Sequence, residues 1–227
     1  MTTIHKALTA ALTACIALGA AHTASAGERL HTWSVGLDGE GRVSSWQLFN
    51  GQDGAYADGI AAQLGTWRFE PSQAGSKDMQ TFVRVVSAPG GDGRPQVLQV
   101  STGPAPSRLS LPDYPEAAQR RGDEGVVVLR LQLAADGSVQ NSDVHDVQGQ
   151  VSRRMAASAM VAAKGWRFSP ERVDGQAVAG EVLFPVCFYV SADPGAVCSW
   201  QGPQAAEMSG LSIVSLAPVT RSLASRD

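Results

Sequence analysis

The chain has 227 residues, of which 44% are hydrophobic and 17% charged, with a formal net charge of −3. That is enough apolar material for a sizeable core, and the composition is not that of a disordered tail. It lacks the basic excess of a nucleic-acid binder and the polybasic run of a membrane-surface protein.

Residues 1–26 read as an export leader. His5 and Lys6 open it, Ala7 to Ala21 run without charge, and Ala24-Ser25-Ala26 is a small-x-small cleavage site. The apolar run falls short of the ~20 strongly apolar residues of a bilayer span. Cleavage after Ala26 and a periplasmic product are therefore expected. An uncleaved inner-membrane anchor facing the periplasm is the alternative. The mature chain keeps two cysteines, Cys187 and Cys198, and an even count in an exported protein predicts a disulfide. Asp193-Pro194-Gly195 supplies a turn between them.

From residue 27 to 88 the pattern is strand, turn, strand, helix, strand. Trp33, Val35 and Leu37 alternate as an inward strand face, and Asp38-Gly39-Glu40-Gly41 forms a turn. Tyr56, Ile60 and Leu64 mark a buried helix face, Trp67-Arg68-Phe69-Glu70-Pro71 follows, and Phe82 to Val86 is the closing apolar run. Residues 89–108 read as a Gly/Pro-rich linker, with a short strand at Gln96 to Val100.

The same order returns from residue 109 to 192. A short helix starts at Tyr114-Pro115 and stops at Gly122. Val127, Leu129, Leu131 and Leu133 take the inward strand positions, and Ala135-Asp136-Gly137 is the hairpin turn. Val139 to Val147 is the next strand, and Val151 to Lys164 a helix with Met155, Ala156, Ala159, Met160 and Ala163 on one face. Trp166-Arg167-Phe168-Ser169-Pro170 matches the earlier Trp-Arg-Phe-x-Pro, and Asp174-Gly175 is a turn. Val182 to Val190 is the last strand. Pro185 cannot donate to a ladder and predicts an edge position there. Residues 193–227 read as a disulfide-tethered turn and a weakly structured tail, with one further strand near Leu211 to Leu216.

Tyr114-Pro115-x-x-Ala118, Gly122-x-x-Gly125-x-Val127, Asp136-Gly137-x-Val139 and Trp166-Arg167-Phe168-x-Pro170, in that order, resemble the C-terminal domain of TonB proteins. The resemblance covers about Leu109 to Val190. It implies an α+β fold. Here that means two TonB-C-terminal-like modules, each with a helix packed on a small antiparallel sheet, the first being a degenerate copy.

The resemblance also implies a non-catalytic domain that binds an extended segment of an outer-membrane transporter, or another envelope protein, beside its last strand. The matching surface is Glu181, Val182, Leu183, Phe184, Val186 and Phe188, with Tyr114 and Pro115 alongside. A proline at Val186 is expected to abolish docking while leaving the fold intact. A short anchored energy transducer working with an ExbB/ExbD-type complex is the alternative function.

No nucleophile elbow, phosphate loop or dinucleotide fingerprint occurs, so no catalytic residue, cofactor or small-molecule substrate is expected. Asp143-x-His145-Asp146 lacks a third metal ligand, and no metal is expected. Nucleic acid is not an expected partner, and a homodimer is left open. Trp67, Phe69, Trp166 and Phe168 read as core, and Arg68 and Arg167 as donors to nearby carbonyls or carboxylates.

Overall fold

The computed structural model describes residues 28–52, 54–72, 75–191, 197–198, 200, 202 and 213–222, together with the backbone of 15–18. The leader read over 1–26 lies outside the described residues except for that backbone. So does the turn at 193–195. The chain is α+β, with mostly antiparallel sheets and few helices. After β1 (Cys15–Leu18) come β2 (Arg29–Asp38), β3 (Val43–Asn50), α1 (Ala55–Leu64), β4 (Phe69–Pro71) and β5 (Asp78–Pro89). Then follow β6 (Pro95–Thr102), β7 (Ala105–Arg108), α2 (Glu116–Arg121), β8 (Gly125–Leu133), β9 (Val139–Gly149) and α3 (Arg153–Ala163). The rest are β10 (Arg167–Ser169), β11 (Arg172–Val173), β12 (Gln176–Ala177), β13 (Gly180–Tyr189), β14 (Val214–Ser215) and β15 (Thr220–Ser222).

The first sheet runs β12-β11-β5-β2-β3, with β6 also on β5. The period-two pattern of β2 puts Trp33, Val35 and Leu37 on its inner face, all buried. α1 lays Ala57, Ile60 and Leu64 against them, with Tyr56 half-buried at the rim of the same cluster. The second sheet runs β1-β13-β8-β9, with β14 also on β13. Val127, Leu129, Leu131 and Leu133 meet α3 through Met155, Ala159 and Ala163, and Trp166 and Phe168 complete this core. α3 begins where Ser152 Oγ accepts the Met155 amide at 3.3 Å, which satisfies one of the unpaired first-turn donors. Trp166 is fully buried, and its indole N–H donates to the Ser110 carbonyl at 2.9 Å. The opposite face of the second sheet holds a smaller cluster of Val126, Val128, Leu183, Cys187, Cys198, Trp200 and Val214.

The two hairpin turns repeat one another bond for bond. Gly41 donates to the Asp38 carbonyl, and Gly137 to the Ala134 carbonyl, both at 2.9 Å. Phe69 N–H reaches Gly41 O, and Phe168 N–H reaches Gly137 O, both at 2.8 Å. Gly41 (φ 77°) and Gly137 (φ 78°) are left-handed, and a Cβ on either would sit 1.8 Å from the phenylalanine carbonyl oxygen. Only glycine fits such a close approach. The paired arginines both donate to backbone carbonyls, but at different places: Arg68 Nε to Glu40 O at 3.1 Å and Arg167 Nη1 to Trp166 O at 2.8 Å.

Residues from each half also build the other. The hairpin β11–β12, turning at Asp174 and Gly175, pairs with β5, with Arg172 opposite Gln80 and Val173 opposite Met79. Asp174 Oδ1 accepts the Lys77 and Asp78 amides, at 2.9 and 3.1 Å. Within residues 89–108 lie β6, a hairpin partner of β5, and β7, which pairs with β10. Near the C-terminus, β14 sits on β13 and β15 sits on β4.

A buried arginine and a buried glutamate mark the meeting of the halves. Arg84 is 3% exposed, and its guanidinium donates to Ser101 Oγ and to the Thr102 and Pro104 carbonyls at 3.0–3.2 Å. Burial lowers it to about 10, which Glu171 opposes, so it stays charged at neutral pH. Glu171, 2% exposed, accepts from Thr81 Oγ1 at 2.5 Å and from the Val219 amide at 3.1 Å. Burial nevertheless raises its carboxyl above the ordinary value.

The candidate docking edge of β13

β13 pairs with β8 over all but its last residue, from Gly180 opposite Leu133 to Phe188 opposite Gly125, without a register shift. Its other edge determines what it offers a partner. The Glu181 carbonyl accepts the Leu216 amide of the C-terminal segment at 2.9 Å. In an antiparallel ladder a residue turns its N–H and C=O to the same side, and sides alternate. Glu181, Leu183, Pro185, Cys187 and Tyr189 therefore turn their backbone groups outward, and Val182, Phe184, Val186 and Phe188 turn theirs to β8.

Two extended segments of the chain occupy this outer edge. β14 pairs Val182 with Ser215 and Leu183 with Val214. β1 pairs Cys15 with Tyr189, Ile16 with Phe188, Ala17 with Cys187 and Leu18 with Val186. Between the two registers stands Pro185, whose outward position has no N–H to give. The missing donor divides the edge into two short runs.

The side chains of the predicted surface point elsewhere. Val182, Phe184, Val186 and Phe188 are fully buried in the helix-side core, and Leu183 is buried on the opposite face. A partner strand would meet the outward backbone groups of Glu181, Leu183, Pro185, Cys187 and Tyr189, and none of these buried side chains. Glu181 remains partly exposed, with Oε1 3.6 Å from Arg130 Nε. The Val186 proline test changes with this geometry: its amide serves the β8 ladder, so a proline there attacks the fold. The outward amide within reach of a clean test is that of Tyr189, a half-buried residue that composition and periodicity did not single out. The parity was available in principle, because Pro185 excludes the opposite alternation.

Tyr114 and Pro115 brace the far end of β13. Pro115 caps α2 in an extended conformation. The Tyr114 ring meets Phe188 edge-on at 5.3 Å, and its hydroxyl donates to the Asp123 carbonyl. Burial raises the Tyr114 hydroxyl above its ordinary value, and Glu124 and Asp123 add to the effect. Glu124 Oε1 accepts the Val190 amide at 2.7 Å and the Ser191 amide at 2.6 Å. Those backbone donors hold its carboxyl below the ordinary range. No sequence pattern pointed to this cap, because Glu124 and Val190 are 66 residues apart.

Cys187 and Cys198 form the disulfide that the cysteine count predicted, with a Cα separation of 5.3 Å. The bond fastens the start of the C-terminal segment to β13 itself. Trp200 then lies over the sheet, its indole donating to Asp146 Oδ2 at 2.9 Å. That bond is the main cause of the low Asp146 carboxyl. His145 packs edge-on to Trp200 at 6.2 Å. Among the described residues no group of three His, Cys, Asp or Glu side chains is placed to hold a metal. No helix among them is long and apolar enough to cross a membrane.

A family model described as the Gram-negative bacterial TonB protein C-terminal matches residues 110–190. Protein TonB of Xanthomonas campestris pv. campestris is 39% identical over 80 residues, 35% of each chain. Protein tonB2 of Pseudomonas aeruginosa is 38% identical over 77 residues, 34% of this chain and 28% of that one. The chain thus spans about a third of the length of the curated relatives it matches. A solution NMR structure of the Pseudomonas aeruginosa TonB CTD is 32% identical, covering 38% of this chain and 84% of that one with a TM-score of 0.30. Residues 110–190 belong to the TonB C-terminal domain family.

Proposed function

We propose that the chain is a non-catalytic periplasmic protein built from two TonB-C-terminal-like modules. The second module binds an extended segment of an envelope partner, a TonB-dependent outer-membrane transporter being the partner class. The observation that carries this reading is the outer edge of β13. Its ladder already seats two extended antiparallel segments by backbone pairing. Strand addition works in that way, with main-chain bonds supplying affinity. An exported chain that loses residues 1–26 would lose β1, the segment paired with Val186–Tyr189.

The matching turns at Gly41 and Gly137 support the duplicated-module reading. The first module is closed to the same use. The outer edge of β5 is filled by β6 from Val83 to Pro89 and by β11 at Met79 and Gln80. Docking therefore falls to β13.

The test is in-cell photocrosslinking from position 189, with position 144 on β9 as a control for the other sheet edge. Position 189 is expected to capture an outer-membrane transporter. A Tyr189→Pro chain, which loses the outward donor and no β8 bond, is expected to remain folded and to lose co-purification of that transporter. Capture from position 144 alone, or unimpaired co-purification by a folded Tyr189→Pro chain, would overturn the reading.

A further inference from the structure

Resting on that docking reading, we propose that β14 is a displaceable resident of the β13 edge. The strand it yields to is an uncharged extended segment of small and apolar residues, added antiparallel from Glu181 to Tyr189. Two observations carry the chemistry. Both segments seated on this edge, Cys15-Ile16-Ala17-Leu18 and Ile213-Val214-Ser215-Leu216, are uncharged, and both run antiparallel to β13. The charged side chains at the entry, Glu181 and Arg130, already face each other.

The anchoring of the C-terminal segment is uneven, and this makes β14 the part that moves. β14 holds β13 by two register pairs, the bond from the Leu216 amide to Glu181 O, and the burial of Ile213 and Val214 in the clusters on the two faces of the sheet. β15 holds β4 by three register pairs. Beside it, the Val219 carbonyl accepts the Ser72 amide at 2.7 Å and the Val219 amide donates to buried Glu171. Thr102 Oγ1 also donates to the Thr220 carbonyl. At the other end Cys198 is bonded to Cys187. β14 is thus the weak middle of a segment tied at both ends. It can leave the edge and return without being lost, because a tethered strand rebinds at a high effective concentration.

Loop length gives the disulfide a small share in this equilibrium. Through the bond, Val214 is 214 − 198 = 16 residues from the tether, and without it 214 − 187 = 27 residues from Cys187. Loop closure scaling makes that difference worth only about twofold. The gate is the strand and not the redox state, so the oxidised protein is the one to test.

The experiment uses the full oxidised chain and, as probe, a synthetic peptide of residues 211–217 added in trans. A Val214→Pro chain removes an amide that faces β13 and frees the Glu181–Leu183 part of the edge. The probe is expected to bind that chain roughly tenfold more tightly than the unmodified one, since the competent state is no longer shared with β14. A probe with Val214→Asp is expected to bind neither. In the unmodified protein, saturating probe should speed hydrogen exchange of the Leu216 amide. This last measurement decides the matter alone if Val214→Pro fails to fold.

Equal probe affinity for both chains, with Leu216 exchange unchanged, overturns displacement and leaves the docking edge standing. Binding of the charged probe as tightly as the neutral one overturns the stated chemistry. Binding of neither probe to either folded chain removes the docking edge and this inference with it.

Discussion

Replacing Gly137 with alanine tests both the fold of the second half and its kinship with the first. The residue sits at φ 78°, and the added Cβ would lie 1.8 Å from the Phe168 carbonyl oxygen. The left-handed conformation alone costs a non-glycine residue ~1–2 kcal/mol. Relieving the overlap means moving β10 away, which breaks the 2.8 Å bond from Phe168 N–H to Gly137 O, worth ~1 kcal/mol. The sum is about 3 kcal/mol, or a fall of roughly 6–12 °C in Tm for a chain of this size. Gly41→Ala should match it, because φ is 77° and the Phe69 carbonyl oxygen lies at the same 1.8 Å. Gly122→Ala separates the two causes. Its φ is 70° with nothing within 4 Å of the new Cβ, so only the conformational cost remains. Urea denaturation of the three variants, followed by tryptophan fluorescence, is the assay. A Gly137→Ala midpoint no lower than that of Gly122→Ala would refute the close-approach argument. A harmless Gly41→Ala beside a damaging Gly137→Ala would refute the equivalence of the two turns.

Glu171 predicts a pH effect of defined sign. Its carboxyl is raised in the folded protein, chiefly by burial, so between the ordinary carboxylate value and the raised one the unfolded chain binds fewer protons. Its contribution therefore falls as pH rises through that window. A Glu171→Gln chain should show a flatter stability profile from pH 4 to 8, and superimposable profiles would contradict the assignment. Reduction of the Cys187–Cys198 bond opens a loop with a sequence separation of 11 and should cost about 3 kcal/mol on the chain-entropy account. The check is the urea midpoint with and without reductant, and no change would mean that the C-terminal segment holds β13 without the bond.

The amino-acid order by itself determined the local elements and their buried faces. Period-two runs in β2 and β8, the three- and four-residue spacing in α3, and the Asp-Gly turns are signals within one element. The structure follows them because burial of an amphipathic face dominates the choice of element. The repeated Trp-Arg-Phe-x-Pro and the two cysteines are equally visible, since each is defined by residue type and count. Only tertiary structure decided where the short strands pair. The hairpin of residues 172–177 belongs by sequence to the second half, yet it extends the first sheet beside β5. The C-terminal segment bridges the halves through β14 and β15. Val182 to Phe188 were legible as a strand, but the buried direction of their side chains and the outward turn of Tyr189 were not. The physical reason is common to all three. Backbone ladder bonds are the same for every residue except proline, so a two- or three-residue strand carries almost no mark of its partner. Its place is set by whichever edge the rest of the folded chain leaves unpaired.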